Sequence, residues 1–66
     1  MDKDHVKRAF RQAFEFANAN LTERDLSKIA GSMAKESDKC GGDSLTMRLV
    51  FAVYDYIGAE LERGNT

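Results

Sequence analysis

Three residues near the start of the chain, Asp2, Asp4 and His5, are of the types that move protons or bind metals. Their setting supports neither use. His5 is the only histidine and no cysteine lies near it, so the set of His and Cys ligands that a structural zinc site takes is not expected, and no metal is. A chain terminus tends to fray, which makes preorganised catalytic geometry hard to hold there. Capping of a first helix by Asp2 or Asp4 is the simpler use of the two acids. Cys40 is the only cysteine; without a histidine partner it reads as a small residue at the edge of a core rather than a nucleophile. A single thiol excludes an intrachain disulfide and fits a reducing cytoplasm. Gly41-Gly42 is too short for a phosphate-cradling loop and reads as a turn. With no Ser-His-Asp set, paired-carboxylate site or dinucleotide fingerprint, the expectation is a non-enzymatic protein with no cofactor and no small-molecule substrate.

Recognition chemistry is better represented. Arg24, Lys28, Lys35 and Lys39 recur at spacings that put them on one side of a helix, within about 60° of one another. Lys7, Arg8 and Arg11 would extend such a stripe, and these residue types contact nucleic-acid backbones. A helix-turn-helix variant would require a break at Gly31-Ser32, with Met33 to Lys39 as a short recognition helix. The smooth apolar stripe of Leu26, Ile29, Ala30 and Met33 argues against that break. A solvated helix face is the plainer reading of the stripe. Overall charge gives no help, since ten basic residues meet eleven acidic ones.

The elements that must position these groups are helical. The chain has no proline and is rich in strong helix formers. Interruptions at Asn18 to Thr22 and Cys40 to Ser44 divide it into helices of about 3–19, 23–39 and 44–62. Short connections then give one all-α domain over 1–66, a small three-helix bundle with up-down-up topology. In the first helix Val6, Ala9, Phe10, Ala13, Phe14 and Ala17 form the apolar side, with Phe16 at its edge and Arg8, Arg11, Gln12 and Glu15 opposite. Thr22 is expected to cap the second helix and Asp43 or Ser44 the third, with Gly41 as a left-handed cap between them. The second helix also places Ser37 and Cys40 on its apolar stripe. No segment is long and apolar enough to be a signal peptide or a membrane span, so neither secretion nor membrane association is expected.

The third helix is apolar on two sides. Leu45, Leu49, Ala52, Tyr56 and Ala59 follow the spacing of heptad core positions. Met47, Val50, Tyr54, Ile57 and Leu61 form a second seam, about 160° away at 100° per residue, with Phe51 and Gly58 beside it. One seam is expected to face the first two helices. A domain this small buries only about 60% of its unfolded surface, and with no disulfide or metal to add stability, association is the remaining device. The expectation is a protein-interaction module of the size of a small bacterial or phage regulator or inhibitor. It would form a homodimer or dock on a protein partner through Met47, Val50, Phe51, Tyr54, Gly58 and Leu61. The alternative function is nucleic-acid binding through Arg24, Lys28, Lys35 and Lys39. In an alternative packing the first two helices flank the third and cover both seams.

Overall fold

Local capping sets the helix ends. The Asp2 carboxylate accepts a hydrogen bond from the Asp4 amide at 2.9 Å and opens α1, Lys3–Ala19. The computed structural model describes residues 1–64, so the last two positions of the expected domain lie outside the described residues. Asp25, rather than Thr22, caps α2, Leu26–Cys40, by accepting from the Ser27 amide at 2.9 Å. Glu23 turns its carboxylate onto the amides of Arg24 and Asp25, each at 3.1 Å, and so holds the connection extended past Thr22. Gly41 ends α2 with φ of 63°, the left-handed cap read from the sequence, and Gly42 follows at 81°. Asp43 then caps α3, Ser44–Gly64. The second helix runs without a break through Gly31, where an added Cβ would meet open space. The helix-turn-helix variant is therefore excluded by the backbone itself.

The three helices form a small all-α bundle, as expected. α3 is the spine: α1 packs closely along it, α2 next, and α1 and α2 touch sparingly. The molecule measures 42 × 19 × 16 Å between its Cα extremes, little more than two helices thick. Few side chains can be wholly enclosed in such a body. Phe16, Ile29 and Val50 are the largest that are, joined by Ala9 and Ala13. Met33, Leu49, Val53, Tyr54, Ile57 and Leu61 pack around this cluster while remaining partly open.

This core corrects the assignment of faces. In α1 the inward direction centres on Ala9, Ala13 and Phe16, whereas Phe10 and Phe14 are 57% and 69% exposed. Alanine at positions 9 and 13 is small enough for α1 to lie close to its neighbours on that side. In α3 the seam expected to meet a partner is the one that meets the core: Val50 is fully buried, Tyr54 and Leu61 pack on the cluster, and Met47 and Gly58 are half-buried. The seam expected to face the core meets it only through Leu49, with Leu45 half-buried, and leaves Ala52, Tyr56 and Ala59 exposed. The energetic reason is the number of large apolar side chains on each side. Met47, Val50, Val53, Tyr54, Ile57 and Leu61 lie on one, and only Leu45 and Tyr56 on the other, with Leu49 at the border and packed on the core cluster. At about 1.5–3 kcal/mol for each large side chain fully buried, the first set wins. Gly58 does not admit a neighbouring backbone; the nearest atom to a Cβ built there is Leu26 Cδ1, at 3.7 Å.

Candidate functional site

Polar bonds between helices decide which side of the α1–α3 pair α2 covers. Gln12, expected on the solvent side, donates through Nε2 to the Glu36 carbonyl at 2.9 Å and to its carboxylate at 3.3 Å. Asn20 donates to the Phe16 carbonyl at 2.8 Å and to Ser32 Oγ at 3.1 Å. Three of these four bonds reach α2, and Leu26 at the start of α2 lies beside Gly58 of α3. Asn20, Glu36 and Thr46 are buried, and among the described residues no enclosed side-chain nitrogen or oxygen lacks a partner. These partnerships fix α2 on one flank of α1 and α3, leaving the opposite flank open.

That open flank is apolar. On α1, Phe10 and Phe14 lie about 100° to 160° round the helix from Phe16 and Ala9. Leu21, just past the end of α1, is 74% exposed, and Tyr56 on α3 is 66% exposed. Ala17 and Leu21 line one wall of a groove of about 510 Å³, and Val53, Tyr56 and Ile57 line the other. Glu23, Arg24 and Glu60 stand around it. At roughly 150–250 Å² per large side chain, the exposed parts of Phe10, Phe14, Leu21 and Tyr56 amount to about 500 Å². The largest contiguous apolar patch on a monomer is ordinarily about 300–600 Å² and is often a working surface.

The expected interface residues are not assembled into a second such face. Val50 cannot be reached without unfolding, and Phe51 alone of that group is well exposed, at 56%. Its ring tilts against Tyr54, with centroids 6.1 Å apart and planes at 56°. Sequence reasoning placed Phe10 and Phe14 in the core and so missed the open face. The signal available was Phe16, which is fully buried and turned about 120° to 160° from them.

Lys28, Lys35 and Lys39 are exposed on the outer side of α2, roughly 110° from its buried side; Arg24 precedes the helix and is also exposed. Lys39 lies 3.8 Å from the Glu36 carboxylate and shares a shallow groove with Arg8, Arg11 and Glu15. The structure thus joins one end of the stripe to the basic side of α1.

His5 turns away from Asp2 and Asp4 towards Asp43, and its Nε2 donates to Asp43 Oδ1 at 2.6 Å. The other Asp43 oxygen accepts from the Thr46 amide at 3.0 Å and from its hydroxyl at 2.7 Å. The two bonds from Thr46, with the one from His5, hold the Asp43 carboxyl down at about 2. This cluster ties the starts of α1 and α3 together. Because the folded-state value lies below the ordinary one, its contribution is complete above about pH 4 and is lost as pH falls towards 2. Thermal melts between pH 5 and 2 are expected to show a shallower loss of stability for Asp43→Asn than for the parent chain; equal slopes would remove Asp43 as a source. Cys40, half-buried at the core edge, directs its thiol to the Ser37 carbonyl at 3.4 Å. Among the described residues no group of three or more His, Cys, Asp or Glu is placed to hold a metal, and no helix is long and apolar enough to cross a membrane.

Comparison with protein-family models, curated proteins and solved structures finds no match to this chain.

Proposed function

We propose that the protein is a non-enzymatic interaction module that binds protein through the open face of α1 and α3. The observation that carries this reading is the exposure of Phe10, Phe14, Leu21 and Tyr56 on the flank α2 leaves bare, where Leu21 and Tyr56 border an apolar groove. Aromatic residues set in a concave apolar surface are the usual anchors of protein interfaces. Tyr56 has that character and Phe10 and Phe14 stand exposed on the same flank, while the polar bonds to α2 hold that helix on the other side. A lone thiol suits action in the cytoplasm.

A photo-reactive phenylalanine analogue at position 56, irradiated in cells, is expected to form covalent protein adducts. The same group at position 28, on the outer side of α2, is expected to form few. Absence of adducts at position 56 would overturn the reading.

A second reading, nucleic-acid binding, is favoured by the groove that gathers Arg8, Arg11 and Lys39 about a single acid, Glu15. Affinity for a duplex would then fall steeply between two salt concentrations, as contacts to phosphate require. No binding at low salt would dispose of it.

A further inference from the structure

The open face carries a projection and a recess side by side. Phe10 stands out from α1 seven residues before Ala17, the first residue of the groove wall, which is about 10 Å along the helix axis. Phe14 lies midway between them, and on α3 the exposed Ala52 offers a small side chain that allows close approach. A surface with a knob and a hole at equal distances from one point can match itself under a two-fold rotation.

We propose that the partner on this face is a second copy of the chain, set antiparallel, with the two-fold axis passing beside Phe14 and Ala52. Phe10 of each copy enters the groove of the other, between the wall of Ala17 and Leu21 and that of Val53 and Tyr56. This rests on the reading of the face as protein-binding and names its occupant. Area supports it: about 500 Å² of apolar surface with a polar rim approaches the roughly 800 Å² per partner of a stable interface. The charges at the rim do not oppose the orientation. Lys7 precedes Phe10 by one turn on the same side of α1, and antiparallel pairing carries it past the groove to Glu60 and Glu23. Glu60 has Arg63 beside it at 3.4 Å, and Arg24 stands near Glu23. Lys7 therefore joins a mixed cluster, not an unbalanced acidic one. Parallel pairing would instead set Lys7 against its own copy and leave both grooves empty.

The test uses the purified chain with Cys40→Ser, to which Lys7→Cys or Glu60→Cys is added. Light scattering across rising concentrations is expected to show the mass of the Cys40→Ser chain approach twice its 7.4 kDa. Under mild oxidation, each added cysteine alone is expected to give little disulfide dimer, and an equimolar mixture of the two variants to give the mixed disulfide. Rapid self-linking of Lys7→Cys would overturn the antiparallel arrangement. A monomer at every concentration would overturn the second copy as occupant. If position 56 still captured protein in cells in that case, binding by the face would stand with another occupant; if it captured none, both would fall.

Discussion

Replacing Phe16 by alanine is expected to leave the chain largely unfolded at 25 °C. Phe16 is fully buried and belongs to one cluster with Ala13, Ile29 and Val50. Truncating a buried phenylalanine costs about 3–5 kcal/mol, through lost transfer energy and the cavity left behind. A core in a chain of this size supplies only about 3–5 kcal/mol in total, so the substitution removes most of the margin. Phe14→Ala, at a ring that is 69% exposed, is expected to change stability by no more than about 0.5 kcal/mol at concentrations where the chain is monomeric, the ordinary range for surface sites. Urea unfolding followed by circular dichroism reads both. The reverse order, with Phe14→Ala unfolded and Phe16→Ala intact, would return the α1 core to the side first read from the sequence.

The second large effect is on association. Phe14→Glu places a carboxylate where, in the proposed dimer, two copies of Phe14 come together near the axis. Burying unpaired charge there is expected to remove at least about 2 kcal/mol of binding, the scale of an interface anchor, which is about 30-fold in Kd. Helix content should be retained, because the side chain is in solvent in the single chain. Val50→Glu supplies the contrast: Val50 is fully buried, so the charge is expected to abolish folding itself. Sedimentation equilibrium beside circular dichroism separates the outcomes. Dimerisation undiminished by Phe14→Glu would exclude this face as the contact.

These contrasts also show which features were legible in the sequence. Helix bounds followed from local chemistry: Asp2, Gly41 and Asp43 each act within a few residues, so the limits of α1 and the start of α3 were readable. The start of α2 was not, because Thr22 and Asp25 are both capable caps and the choice depends on Glu23 folding its carboxylate back onto two amides. Periodicity located apolar stripes but did not say which stripe faces inward. In α3, with both sides apolar, Thr46 and Val53 tip the balance by filling the arc around Val50. Thr46 could have been found from its place three residues after a capping aspartate. The links of Gln12 to Glu36, Asn20 to Ser32 and His5 to Asp43 join residues distant in sequence. No local pattern encodes them, yet they place α2 and so decide which flank stays open.

The most direct measurement of the central claim is an amide chemical-shift dilution series on the unmodified chain. Concentration-dependent shifts are predicted for residues around Phe10, Phe14, Leu21 and Tyr56, with those of Lys28, Lys35 and Lys39 unchanged. Shifts confined to the outer side of α2, or none on the α1–α3 flank up to the highest soluble concentration, would contradict it.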